Sequence, residues 1–200
     1  MLTELPHPTV PIEAVVVGAS AGAVEALSVV LPAFPKTARV AVIVCVHLPA
    51  NRPSILGELF ARRCALPIRE PQDKLPIGHG AIWFAPPNYH LLVERDRSFG
   101  LSVDEPENWS RPSIDVLFET AAEAYGPALV GVVLTGANAD GARGARAIRR
   151  AGGIVMVQDP KTAEATYMPM AAIEQADPHV IAPLAKIASL LRGLSVSEGT

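Results

Sequence analysis

The stretch Glu13–Gly22, EAVVVGASAG, decides the fold of this 200-residue chain. Its first part, Glu13–Gly18, is a short, almost wholly apolar run that ends in glycine, which predicts a strand buried on both faces. Apolar residues then recur at helical spacing over Ala23–Leu31. A buried strand followed directly by a helix predicts one unit of a parallel sheet.

The same alternation continues along the chain and predicts a mainly parallel, doubly wound α/β sheet with helices on both faces. Further strands are predicted at Arg39–Val46, Ala128–Thr135 and Ile154–Gln158, and further helices at Pro53–Arg62, Ile114–Tyr125, Asp140–Ala151 and Leu184–Leu191. Two short extended pieces in the Pro- and Gly-rich middle, Ala81–Ala85 and His90–Glu94, predict an antiparallel hairpin extension at one edge. We expect an N-terminal tail over 1–11, one domain over 12–192 and a C-terminal tail over 193–200.

The composition narrows the function classes. Half of the residues are apolar, 18% are charged and the formal net charge is -3, which indicates a folded protein without the basic surface of a nucleic-acid binder. No apolar run is long enough for membrane insertion, and the N-terminus lacks the pattern of a signal peptide. The two cysteines lack the spacing of a metal site or a redox pair, which predicts free thiols in a cytoplasmic protein. We expect neither a metal nor a cofactor.

Three chemically capable residues follow predicted strands. Ser20 lies in the loop after the first strand, His47 directly follows the second, and Asp140 follows the strand Ala128–Thr135. Because the carboxyl ends of parallel strands share one edge of a sheet, these side chains are expected to meet there. A serine needs a base to attack a carbonyl, an imidazole can be that base, and a carboxylate orients the imidazole. The three residues therefore predict a serine hydrolase.

Each residue also has a structural interpretation when taken alone. Ser20 and Asp140 are both residues that commonly cap a helix N-terminus, and a histidine at a strand end is more often structural than catalytic. Their coincidence at one sheet edge favours catalysis. The chain order Ser, His, Asp differs from the Ser, Asp, His order of α/β-hydrolases, although the glycine frame around Ser20 looks similar.

Several longer segments carry a resemblance to a known family. The segments VVVGASAGAVEAL, VCVHLPA, GAIWFAPPNYHLL, SRPSIDVLFETAA and GVVLTGANADGARG resemble the catalytic domain of chemotaxis protein-glutamate methylesterases, the CheB family, from about Ile12 to about Leu191. The resemblance implies hydrolysis of glutamate methyl esters on methyl-accepting chemotaxis receptors, and it allows glutamine deamidation as a second activity. It assigns the triad to Ser20, His47 and Asp140.

The same resemblance suggests which residues contact the substrate. Oxyanion donors fall at the backbone of Ala21 and Ala137, and Arg111 lies in a segment near the family's active site. Arg111 could pair with receptor carboxylates next to the ester, or be a solvated arginine at a helix start.

Two departures from the family motifs leave a second function open. The family usually has threonine at the position of Ala21, and methionine and glycine at the positions of Ala137 and Asn138. A weakened or inactive relative that binds a receptor or an assembly is therefore the alternative. The segment before the first strand is also too short for the family's usual receiver domain, so we expect either constitutive activity or control by a separate regulatory partner.

Overall fold

The computed structural model describes residues 5–6, 8–47 and 55–196, and a seven-stranded parallel sheet forms its centre. Its strands are β1 (Ala14–Ala19), β2 (Ala41–Val46), β3 (Ile68–Arg69), β4 (Ala81–Phe84), β7 (Leu129–Val133), β8 (Ile154–Gln158) and β9 (Val180–Ala182). The order across this sheet is β3-β4-β2-β1-β7-β8-β9. The predicted fold class is confirmed, because every pairing between neighbouring strands of this sheet is parallel.

Helices cover both faces of the sheet and bury two separate apolar cores. They are α1 (Ala23–Val30), α2 (Leu56–Ala61), α3 (Ile114–Tyr125), α4 (Ala142–Arg150), α5 (Tyr167–Ala176) and α6 (Leu184–Val196). Alternate residues of β1 point to opposite faces: Val15 and Val17 belong to the core under α1, α2 and α6, whereas Ala14 and Val16 belong to the core under α3, α4 and α5. This burial on both faces explains why the strands are continuous apolar runs.

The middle of the chain differs from the prediction in one respect. The antiparallel hairpin β5 (His90–Val93) and β6 (Phe99–Ser102) forms its own two-stranded sheet and does not extend the edge of the central one. It lies against α3, where Val93 N donates to Thr120 Oγ1 at 3.1 Å. The other predicted piece became β4, which pairs with β2, because all of its residues are buried as an internal parallel strand requires.

Sequence patterns located the main elements but missed the shortest strands and one helix. The patterns do not predict the edge strand β3, the hairpin strand β6, the terminal strand β9 or helix α5. Helix α6 continues to Val196, so residues 193–196 are helical rather than part of a tail. The predicted start of the second helix at Pro53 and parts of both tails (1–4, 7 and 197–200) lie outside the described residues. Within the described ranges, no helix combines the length and apolar character needed to cross a bilayer.

Candidate active site

The pairing of β1 with β2 places Ser20 and His47 beside each other. Ala19 lies opposite Val46 in the parallel register, so the next residue on each strand is Ser20 and His47. The backbone confirms this neighbourhood, because His47 N donates to Ala19 O at 3.3 Å. Neighbouring strands are about 4.8 Å apart. Within the described part of the chain, however, no hydrogen bond joins Ser20 Oγ to His47, so that contact stays a prediction.

The glycines around Ser20 have two different structural reasons. A Cβ at Gly18 would lie 2.4 Å from Cγ2 of Ile114, so Gly18 lets α3 approach the end of β1. Gly22 has a φ of 77°, a left-handed conformation that glycine adopts without steric cost. Gly22 is the N-cap of α1, and no side chain caps that helix. The structural interpretation of Ser20 as a cap is therefore wrong, and its hydroxyl is not used to hold the helix.

His47 and Asp140 form a short, largely buried hydrogen bond. The distance from His47 Nε2 to Asp140 Oδ2 is 2.7 Å, and the exposed fractions of the two side chains are 12% and 0%. Burial raises the pKa of Asp140, but hydrogen bonds from His47 and from the backbone N–H groups of Ile114 and Asp115 outweigh it, so the net pKa is lowered. An ionised carboxylate only accepts hydrogen bonds, so Nε2 of His47 is the donor and Nδ1 can accept a proton.

Asp140 is held by the N-terminus of α3. Its Oδ1 accepts from Ser113 Oγ at 2.8 Å and from Asp115 N at 3.0 Å, and its Oδ2 also accepts from Ile114 N at 2.7 Å. These N–H groups have no acceptor within their own helix, and the helix dipole favours a negative charge there. The N-cap of α4 is Gly141, without a side-chain cap. Asp140 thus caps the neighbouring helix α3, not the helix that follows it in the chain.

Asp115 makes the reciprocal contact from α3 to α4. Its Oδ1 accepts from Gly141 N at 2.9 Å and from Gly144 N at 2.8 Å. The side-chain amide of Asn108 links both carboxylates, since Nδ2 donates to Asp115 Oδ2 at 3.1 Å and to Asp140 Oδ1 at 3.0 Å. Burial, together with the nearby charge of Asp140, raises the pKa of Asp115 to about 6 despite the hydrogen bonds from Gly144 and Asn108. The two helices are therefore locked together directly behind His47.

The two predicted oxyanion donors lie on exposed loops near Ser20. Within the described residues, the N–H groups of Ala21 and Ala137 donate to no acceptor, and both residues are exposed. Thr135 fixes the loop around Ala21: its hydroxyl donates to Ala21 O at 2.8 Å and accepts from Ala165 N at 2.9 Å. Asn138, where the family usually has glycine, does not occupy the left-handed conformation that would favour glycine there. Its Oδ1 instead accepts from Asp140 N at 3.3 Å.

Arg111 is engaged in the structure of its own loop. Its Nη1 donates to the carbonyl oxygens of Val103 and Asp104 at 2.7 and 2.9 Å, so the guanidinium is not the fully solvated group considered above. Its Nε is buried and has no partner among the described residues. Arg111 lines a pocket of about 230 Å³ that also reaches His47 and Trp109, although Ser20 is not among its lining residues.

Sequence patterns did not identify four residues around the site: Asn108, Trp109, Ser113 and Asp115. Ser113 carried a usable signal, because a serine directly before an apolar periodic run is a typical N-cap. Asp115 looked like an ordinary acidic residue in a first helical turn. Asn108 and Trp109 had no signal, since their positions depend on how the loop before α3 packs.

Comparisons with known proteins identify the family to which the chain is similar. The family profile described as CheB methylesterase matches residues 15–191. A Leptospira interrogans protein is 44% identical over 178 residues, 89% of this chain and 92% of its own. A Trichodesmium erythraeum protein named protein-glutamate methylesterase/protein-glutamine glutaminase is 36% identical over 183 residues, which are 90% of this chain but 52% of that protein. The crystal structure of the Thermotoga maritima CheB methylesterase catalytic domain superposes with a TM-score of 0.87 at 29% identity, covering 92% of this chain and 100% of that one.

Proposed function

The chain belongs to the CheB methylesterase family of carboxyl-ester hydrolases, and from this premise we propose that it hydrolyses glutamate methyl esters on methyl-accepting chemotaxis receptors, with Ser20 as the nucleophile. The observation that carries the proposal is the largely buried 2.7 Å hydrogen bond between His47 and Asp140, one strand away from Ser20. Such a pair has the composition and geometry of a general base with its orienting carboxylate.

The first half of the reaction forms an ester between enzyme and substrate. Ser20 Oγ attacks the carbonyl carbon of the glutamate methyl ester while its proton passes to Nδ1 of His47. Asp140 stabilises the imidazolium through Nε2. The tetrahedral intermediate then collapses, the proton returns to the leaving oxygen, and methanol departs. The nitrogen that serves Ser20 is thus Nδ1, the reverse of the assignment in chymotrypsin-like proteases.

The second half regenerates the enzyme. Water attacks the glutamyl–Ser20 ester while Nδ1 of His47 takes its proton, and the proton is then returned to Ser20 Oγ as glutamate leaves. In both halves, the backbone N–H groups of Ala21 and Ala137 are the proposed donors to the negatively charged oxygen. A Thr-to-Ala or Met-to-Ala difference does not remove a backbone N–H, although the missing threonine hydroxyl would lower the rate if it contributed a hydrogen bond.

Three further points belong to the same proposal. Glutamine deamidation would follow the same course with ammonia as the leaving group. The cytoplasm is the proposed compartment, because Cys45 and Cys64 are free thiols as expected where disulfides are rare. Control by a separate regulatory partner stays a prediction of the sequence.

The test is methanol release from a methylated receptor fragment by the wild-type protein and by Ser20→Ala. The substitution should abolish release, whereas Ser28→Ala on the exposed side of α1 is the matched control and should leave it unchanged. A fluorophosphonate probe should label Ser20 in the wild-type protein only. Unchanged turnover by Ser20→Ala would contradict the proposal.

Binding without turnover is the second candidate function. It is favoured by the missing hydrogen bond between Ser20 Oγ and His47 within the described residues and by the alanines at positions 21 and 137. It predicts that the wild-type protein binds the receptor fragment, releases no methanol and is not labelled by the probe. The same two measurements therefore separate the candidates.

A further inference from the structure

A strained turn lies at the edge of the pocket that reaches His47. Ser110 N donates to Glu107 O at 2.9 Å, which closes a four-residue turn with Asn108 and Trp109 at its centre. Their φ angles are 50° and 63°, and positive values at both central positions are the pattern of a type I′ turn. Asparagine suits the first of these positions, but the second favours glycine, and a bulky aromatic residue there is an outlier.

Trp109 gains no packing that would offset this strain. Its side chain is 100% exposed, the highest value among the large apolar residues described. A single exposed apolar residue is ordinary on a protein surface. An exposed tryptophan in a left-handed conformation is unusual, because neither burial nor backbone preference favours it. Strain of this kind is typical of positions that bind a ligand.

The turn is also fixed relative to the proposed catalytic residues. The side chain of Asn108 donates to Asp140 and Asp115, and Glu107 forms an ion pair with Arg143 on α4. Trp109 is therefore presented from a rigid support, which lowers the entropy lost when something binds to it. Trp109 and His47 both line the pocket of about 230 Å³.

We propose that Trp109 determines substrate specificity by contacting an apolar side chain of the substrate protein, next to the esterified glutamate. This inference rests on the proposed function. Neighbouring strands are about 4.8 Å apart, which sets the scale of the separation between Ser20 and His47. On a helical substrate segment one turn advances about 5.4 Å, so a residue one turn from the ester can reach the pocket that His47 lines.

The chemistry of the surroundings favours an apolar contact over a charged one. Among the described residues, the pocket lining includes Pro106, Pro112 and Trp109 together with the cation Arg111 and no carboxylate, so a cationic side chain would meet a like charge there. A carboxylate would face the negative face of the indole ring, and the guanidinium of Arg111 already donates to the carbonyl oxygens of Val103 and Asp104. An aliphatic side chain packed on the indole has neither disadvantage.

The test is Trp109→Gly, because glycine suits the turn and the variant should fold at least as stably as the wild-type protein. With a methylated receptor fragment, KM should rise about ten- to thirtyfold, the loss typical of an interface tryptophan, while kcat changes less than about twofold. Fluorophosphonate labelling of Ser20 should keep its wild-type rate. Trp109→Phe should restore most of the affinity, and Val29→Ala, another exposed apolar residue, is the control without effect.

A substrate-side experiment completes the test. Alanine in place of the apolar receptor residue one turn from the ester should raise KM for the wild-type protein but not for Trp109→Gly. An unchanged KM in Trp109→Gly would overturn the inference, and so would an equal fall in Ser20 labelling, which would indicate a structural role. A wild-type protein that releases no methanol would instead contradict the proposed function itself.

Discussion

Replacing Asp140 by asparagine exchanges an acceptor oxygen for a donor nitrogen where five hydrogen-bond donors converge. Oδ1 faces the donors of Asn108, Ser113 and Asp115, and Oδ2 faces Ile114 N and His47 Nε2. The amide oxygen of asparagine can serve only one of these two groups. Keeping the three donors on Oδ1 is the smaller loss, so the new NH₂ group should point at Ile114 and His47.

The structure allows the loss of stability to be estimated. The N–H of Ile114 would be buried without an acceptor, which costs about 1–3 kcal/mol. Each of the three retained bonds changes from a charged to a neutral acceptor, at about 1 kcal/mol each. Burying a neutral amide instead of a carboxylate offsets part of this sum. We therefore expect the free energy of unfolding to fall by about 3 kcal/mol.

The same change should affect catalysis through the tautomer of His47. To accept from the new NH₂ group, His47 must leave Nε2 unprotonated and carry its proton on Nδ1. Nδ1 then cannot take the proton of Ser20. The corresponding Asp-to-Asn change in a serine protease triad lowers kcat about 10⁴-fold, and a similar loss is expected here.

Two assays check this prediction, with Asp177→Asn as the control because that carboxylate is 90% exposed. Methanol release gives kcat, and chemical denaturation at several pH values gives stability. The folded pKa of Asp140 is lowered, so its contribution to stability is complete above the unfolded value of about 4 and is lost as the pH falls through the folded pKa. The difference between wild type and variant should shrink in acid. A kcat within tenfold of the wild-type value, or unchanged stability at pH 7, would refute the reasoning.

Two further predictions concern the supports of the site. The pKa of Asp115 is raised to about 6, so wild-type stability should fall by about 2 to 3 kcal/mol as the pH rises from about 4 to 6, and Asp115→Asn should remove that decline. Parallel pH profiles of unfolding for the two proteins would contradict it. Thr135→Val should leave Ala21 O and Ala165 N without partners, lowering stability by about 1–3 kcal/mol and kcat about tenfold through the displaced Ala21 loop. Thr135→Ser keeps the hydroxyl and should behave like the wild type in both assays. Equal losses of stability and kcat in the two variants would contradict the role assigned to the Thr135 hydroxyl.

Local patterns were sufficient to place Ser20 and His47, because each directly follows a buried strand whose pairing is parallel. Asp140 could be assigned to the same edge, but its partners could not. Its contacts with Ser113 and Asp115 depend on the packing of α3 against α4, which no periodicity in either helix encodes. The sequence pattern rightly indicates that Asp140 caps a helix. The helix that it caps is α3, its neighbour in space, and not α4, the next helix in the chain.

Helix α5 shows a different limit of sequence patterns. It begins Tyr167–Met168–Pro169, and proline is usually taken as a sign that a helix ends. Here Pro169 lies in the first turn, where its missing N–H costs nothing. The side chain of Met168 is fully buried, and a Cβ added at Gly136 would lie 2.5 Å from its terminal methyl carbon. The loop at Gly136 packs so closely against the N-terminus of α5 that composition alone cannot locate this helix.

The contacts of the site also decide which of its parts can be changed without unfolding the protein. Asp140 orients His47 and at the same time joins α3 to α4, so its substitution should reduce activity and stability together. Ser20 caps no helix, and Trp109 is fully exposed in a turn that glycine would fit better. Loss of function at these two positions should therefore come with stability that is unchanged or improved. That asymmetry follows from the fold: the carboxylate of Asp140 is buried and held between two helices, whereas Ser20 and the proposed contact Trp109 must remain accessible to the substrate.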